Sequence, residues 1–209
     1  MSILPFLSNA TGRKDKVQNK KLAAEIAQGQ NKKAVHELVD NLNNKDKNIQ
    51  SDCIDTLYEI GYIKSELIAD YCSDFLKLLN SKNNRLVWGG MIALATIAHL
   101  KHKELFNALE EIMTVVNKGS VITIDNGVRI LIQLTKRTDY FKTTNPLLMA
   151  ELLRCPIKQL PMYAERSLDC ISEYNRHEFL NLLKNRSVEC EKDSQKKRLM
   201  KIIKRFNEQ

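Results

Sequence analysis

The residues in this chain best suited to chemistry by type and spacing are two arginines, Arg129 and Arg166, which stand 37 positions apart. If that separation is one structural repeat, their guanidinium groups form a ladder able to hold phosphates or carboxylates. The same charges could instead pair at the surface with Asp125 and Glu165, the commoner fate of such groups. Trp88, the only tryptophan, is the kind of aromatic side chain that, with arginine, dominates binding hot spots. A tryptophan among small residues also serves as a core filler. His99 and His102 could share a helical face, but no Cys or carboxylate stands at ligand spacing around them. His36 and His177 are isolated, so no metal site is expected. No Gly-rich phosphate loop, GxSxG elbow or supported Cys/His pair is present, which disfavours a nucleotide enzyme or an ordinary hydrolase. No cofactor is expected.

The elements that must position these groups are helices. Of 209 residues only 7 are glycine and 4 proline, while 43% are hydrophobic and recur periodically, which suits long uninterrupted helices better than a turn-rich β fold. The five cysteines are scattered through apolar helical patterns without a CxxC pair, the usage of reduced core thiols in a cytoplasmic protein. Residues 1–10 are too short for a secretory signal, and no stretch of about 18 apolar residues predicts a membrane span. The net charge of +8 concentrates at the two ends: residues 13–33 carry +5 and residues 184–205 carry +6. Basic ends permit nucleic acid, an acidic protein or an anionic surface as partner, and solvated terminal helices of a repeat array carry charge in any case.

Offsetting the chain by 37 residues aligns four blocks without a gap. Leu38, Phe75, Ile112 and Met149 fall in register, as do Leu42, Leu79, Val116 and Leu153, at i and i+4 on one helical face. A second stripe begins at Ile49, Leu86, Thr123 and Leu160. It continues through Leu57, Leu94, Leu131 and Leu168 to Ile60, Ile97, Leu134 and Ile171. Between the stripes run small residues, Cys53, Gly90, Gly127 and Ala164, then Gly61, Ala98, Thr135 and Ser172, which let neighbouring helices approach. Turn formers at 43–47, 80–84, 117–120 and 155–156 link the paired stripes. In a fifth block Phe179, Leu183, Leu199 and Ile202 keep the pattern at a shorter offset. The predicted hairpins are about 31–61, 64–100, 103–137, 142–174 and 177–207. They follow a capping helix over 14–28, with residues 1–12 as a tail free to move and 13–209 as a single solenoid.

The second stripe resembles the inner helix of HEAT repeats, most clearly in Leu86-x3-Gly90-x3-Leu94-x2-Ile97. The Arg that usually follows the first apolar position in HEAT repeats is replaced here by Gln50, Val87, Ile124 and Pro161, so the broader armadillo-type superfamily is the safer name. The resemblance covers residues 31–207. It implies an all-α, right-handed α-α superhelix of about five HEAT-like hairpins with an N-terminal capping helix, whose second helices line a concave groove.

Side chains about a quarter-turn from the stripe should face that groove. They are Asp52, Asp55 and Glu59; Arg85, Trp88 and Thr96; Asp125, Asn126, Arg129 and Gln133; Met162, Tyr163 and Arg166. The candidate binding residues are Arg85, Trp88, Asp125, Asn126, Arg129, Tyr163 and Arg166. Two readings follow. The first is a non-catalytic scaffold binding a protein or peptide in the groove. The second is a nucleic-acid-binding protein, since bacterial DNA alkyl-base glycosylases are built from HEAT-like repeats. That resemblance implies Asp125 as the catalytic carboxylate, Trp88 and Tyr163 as stacking aromatics, and Arg129 and Arg166 as phosphate ligands. The C-terminal segment 196–206 is amphipathic and either meets a membrane or partner or closes the last hairpin.

Overall fold

A computed structural model describes residues 2–12 and 15–207, and every regular element among them is helical. The chain divides into two compact units, Met1–Gly127 and Val128–Gln209. The first holds α1 (Val17–Gln28), α2 (Lys32–Asp40), α3 (Lys47–Lys64), α4 (Cys72–Lys77), α5 (Asn84–Ile97), α6 (His102–Asn107) and α7 (Leu109–Lys118). Helix α8 (Val121–Thr135) begins in the first unit and ends in the second. The second unit continues with α9 (Thr138–Arg154), α10 (Leu160–Ser167), α11 (Arg176–Ser187) and α12 (Asp193–Asn207). The expected start of the capping helix at Lys14 lies outside the described residues.

In the first unit, α3 packs against α1, α2 and α5, and α4 packs against α5. The polar linkers start these helices. Side chains of Asn31, Asp46 and Asn83 accept hydrogen bonds from the Ala34, Asn48 and Arg85 amides, capping α2, α3 and α5. The small-residue column does what the repeat demands: a Cβ at Gly127 would overlap the Val116 side chain of α7. The residues preceding α1 are anchored as well. Leu7 and Ser8 are buried, and Ile3 N donates to Glu37 of α2.

The aligned core positions share one environment in the first unit, where Leu38, Leu57, Ile60, Phe75, Leu94, Ile97 and Ile112 are each 0% exposed. In the second unit Leu131 and Leu134 match them, but Leu153 is exposed and Leu168 only half-buried. On α9 the neighbouring Leu152, 0% exposed, takes the buried place instead of Leu153; at Leu168 the reason is a change of helix type. Helix α10 ends at Ser167 and tightens into a 3-10 turn over Leu168–Cys170, which rotates the following positions off the i, i+4 face.

Polar knots replace some of that lost apolar packing. The guanidinium of Arg186 donates from Nη1 to the Leu152 and Cys155 carbonyls, at 3.0 and 2.8 Å, so it satisfies orphan acceptors at the end of α9. Glu189 braces the same group at 2.7 Å. Asn175 donates to Asn145 Oδ1 at 2.8 Å and to the Cys170 carbonyl at 3.2 Å, while accepting from the Ser172 amide at 2.8 Å.

Two outcomes test this description. Arg186→Met should lower unfolding stability by about 2–3 kcal/mol, read from the urea midpoint, because buried carbonyls lose a charged donor. Burial pushes the Cys53 and Cys170 thiols up to about 12 and those of Cys72 and Cys155 up to about 11. At pH 8, therefore, a thiol reagent should modify only the half-buried Cys190 quickly, and the other four after denaturation. Thiols kept protonated in the fold but able to ionise when unfolded lower stability as pH rises, so stability should fall between about pH 9 and pH 11.

Candidate functional site

Helix α3 carries Asn48, Ser51, Asp52, Asp55 and Tyr58 at spacings that bring them onto one side of the helix, and α5 does the same with Arg85, Trp88, Gly89 and Ile92. Gly89 has no side chain to hold the helices apart; a Cβ there would overlap the Ile54 side chain of α3. These two faces, with Ile122 of α8 and with Ser8, Asn9, Asp15 and Lys16 from the segment before α1, enclose a cavity of about 570 Å³. One wall is acidic and hydrogen-bonding. The other is aromatic and aliphatic, with Arg85 at its exposed edge.

The acidic wall is satisfied by the chain itself. Asp52, 6% exposed, accepts from the Asn9 amide at 2.8 Å, from Asn9 Nδ2 at 2.9 Å and from Asn19 Nδ2 at 3.0 Å. Three N–H donors stand in for the water a buried carboxylate has lost. Asp55 accepts from the Tyr58 hydroxyl at 2.6 Å and from Lys16 Nζ. The Lys16 ammonium also lies 3.2 Å from Tyr58 Oη and 5.8 Å from the centre of its ring, within cation–π range. Burial, then the Asp55 hydrogen bond and charge, push the Tyr58 phenol well above its ordinary range. One turn further along α3, Glu59 pairs with Lys20 at 3.5 Å. Lys16 keeps 59% of its side chain in solvent while Asp55 keeps 8%, so the ammonium reaches a fixed, buried acceptor from outside.

The structure brings together only part of the sequence-derived set. Arg85 and Trp88 line this cavity with the expected Asp52 and Asp55. Trp88 is half-buried and also borders a second hollow of about 730 Å³, between Val87 on α5 and Glu110, Glu111 and Thr114 on α7. It is thus neither a pure core filler nor a free ring. Asp125 is half-buried, and Asn126 is buried with its Nδ2 turned back onto the Ile122 carbonyl at 2.8 Å. Neither is among the described residues that line the cavity.

In the second unit, Arg129 is half-buried and Arg166 exposed. Tyr163 requires a correction: at 1% exposed it is one of the largest fully buried side chains. Its ring fills the core of the second unit and offers no face for a base to stack on. Glu165, a possible partner for Arg166, is instead held by Arg198 at 2.6 and 2.7 Å, which lowers its carboxyl pKa.

Tyr58, Ile92, Ile122, Asn9 and Lys16 are among the lining residues absent from the sequence expectation. Tyr58 stands three positions beyond Asp55 and was legible from helical spacing. Asn9 and Lys16 reach Asp52 and Asp55 across 43 and 39 residues of chain, a contact no local periodicity encodes. Among the described residues, no group of three His, Cys, Asp or Glu side chains could hold a metal ion. No helix among them is long and apolar enough to cross a membrane.

Comparison of the whole chain with solved structures shows the fold to be that of armadillo/HEAT-like helical-repeat proteins. Computationally designed armadillo repeat proteins for modular peptide recognition share 15% identity, with a TM-score of 0.61 over 90% of this chain and 91% of theirs. A designed armadillo repeat protein in complex with the peptide (KR)4 shares 13%, with a TM-score of 0.62 over 88% of this chain and 85% of its own. An engineered protein matches at 16% identity and a TM-score of 0.63 over 98% of both chains. No protein-family model matches the sequence, and no curated protein matches it.

The hydrogen bonds to Asp52 predict that this carboxylate clamps the N-terminal segment. In Asp52→Ala the Ser8 and Asn9 amides should exchange with solvent faster, followed by hydrogen exchange. Global stability should fall by about 1–3 kcal/mol, because Asn19 and Asn9 lose a buried acceptor.

Proposed function

We propose that the chain is a non-catalytic scaffold that binds an extended peptide or protein segment at the cavity between α3 and α5. A Lys or Arg side chain of the partner takes the acidic wall, and a neighbouring apolar side chain rests on Trp88, Ile92 and Ile122. The observation that carries this reading is the seat of Lys16. A primary ammonium is already bound there by a buried carboxylate and by the hydroxyl and ring of one tyrosine, Tyr58, which is the chemistry a cationic peptide side chain would meet. The exposure of Lys16 makes that occupant replaceable. The similar designed proteins, some made for modular peptide recognition and another in complex with the peptide (KR)4, support peptide binding by this architecture.

As the sole tryptophan, Trp88 reports directly on the site. Titration with an alternating Lys/Arg octapeptide should change its fluorescence saturably, and more weakly as salt rises. An alternating Glu/Ser octapeptide should leave it unchanged. Asp55→Asn should weaken binding about tenfold, equivalent to about 1.4 kcal/mol, and Lys16→Ala should strengthen it by removing the resident competitor. The reading fails if the basic peptide leaves the fluorescence unmoved, or if Asp55→Asn binds as the parent does.

A further inference from the structure

Helix α12 has two faces with opposite fates. Leu199, Ile202 and Ile203 are buried at 0, 4 and 3% exposure, and the helix packs on α10 and α11. Phe206 meets Phe179 edge-on at 6.4 Å, and the Arg176 guanidinium lies 5.4 Å from its ring centre. The apolar stripe therefore closes the last hairpin and is not free for a lipid surface. On the other face, Lys197, Lys201, Lys204 and Arg205 line a shallow hollow of about 550 Å³ with Met200.

Positions 197, 201, 204 and 205 follow i, i+4, i+7 and i+8, so their charges run in one line about 12 Å long at ~1.5 Å per residue. All four are exposed, and none has an ion-pair partner among the described residues. Arg198, off that line, is neutralised by Glu165, whose carboxylate also feels Lys201. No carboxylate occurs between Asp193 and Asn207. Cations in a final turn are stabilised by the negative end of the helix dipole, which accounts for Lys204 and Arg205 but not for Lys197 and Lys201 in the middle of the helix.

We infer that this stripe is a docking surface for the phosphate backbone of a nucleic-acid duplex, separate from the cavity between α3 and α5. Three of the four cations are lysines, compact charges on flexible stems that lack the fork matching a single carboxylate. Such groups bind best where anions are dense and their exact placement is immaterial. A duplex carries one charge per ~1.7 Å of axis with both strands counted, so a 12 Å length of it carries about seven phosphates, enough to give each of the four cations a partner. The stripe reads no bases; it binds by releasing counterions.

The test uses the full chain and a fluorescein-labelled 16-base-pair DNA duplex of mixed sequence, followed by anisotropy between 50 and 200 mM NaCl. Four phosphate contacts predict a slope of log affinity against log salt near −3.6, or about a 150-fold loss across that span. The variant K197Q/K201Q/K204Q/R205Q should lose most of the affinity and bring the slope near zero. Its helical circular dichroism and its binding of the Lys/Arg octapeptide should be unchanged. Absence of duplex binding at 50 mM salt overturns the inference, as does a slope unaltered in the quadruple variant. Stripe-dependent binding of polyglutamate, or of vesicles containing phosphatidylserine, in place of the duplex would overturn it equally.

Discussion

Gly89 of α5 faces Ile54 of α3 with no side chain of its own between them, and the candidate site depends on that closeness. Two helices whose side chains interdigitate normally lie about 8–10 Å apart. Where one of them has only hydrogen at the contact, the polar positions on either side, Asp52, Asp55 and Tyr58 on one helix and Arg85 and Trp88 on the other, are drawn to the rim of a single hollow. Gly61 and Gly127 reflect the same constraint, since added side-chain atoms would overlap Thr96 and Val116. Small residues in this fold are therefore packing devices, and they set where polar chemistry can gather.

The close packing has an electrostatic consequence. Asp52, Asp55 and Tyr58 are all 9% exposed or less, and buried polar groups are costly unless bonded. The segment before α1 supplies the missing donors: Asn9 and, from α1 itself, Asn19 satisfy Asp52, while Lys16 satisfies Asp55. The two acids are not equivalent. Asp52 is enclosed by neutral amides that also hold the N-terminal segment in place. Asp55 is met by an ammonium whose side chain stays 59% exposed. Clamp and proposed receptor thus sit one turn apart on the same helix.

The second unit manages its polar groups differently. There the donors reach backbone carbonyls as well as side chains: Arg186 closes the end of α9, and Asn175 joins the Cys170 carbonyl to the Asn145 side chain of α9. These knots coincide with the place where the apolar repeat loosens at Leu153 and Leu168. The exposed basic charge in this unit gathers on the outer face of α12, where no carboxylate occurs between Asp193 and Asn207.

Much of this protein was legible as periodicity. The 37-residue recurrence of Leu57, Leu94 and Leu131, the small positions at Gly90 and Gly127, and the asparagine-rich linkers that became helix caps all follow from helical geometry, which repeats every 3.6 residues and is local. The same geometry identified Asp52, Asp55, Arg85 and Trp88 as neighbours on inner faces, and α12 as the closure of the last hairpin. It misassigned Tyr163, because a quarter-turn of helix separates core from surface and the short α10 shifts that boundary. It could not find Lys16 or Asn9 at the cavity. Hydrophobic periodicity records which side of a helix is buried, but not which distant segment comes to lie against it. That choice belonged to the tertiary structure, where buried carboxylates on α3 required donors and the N-terminal segment was within reach to provide them.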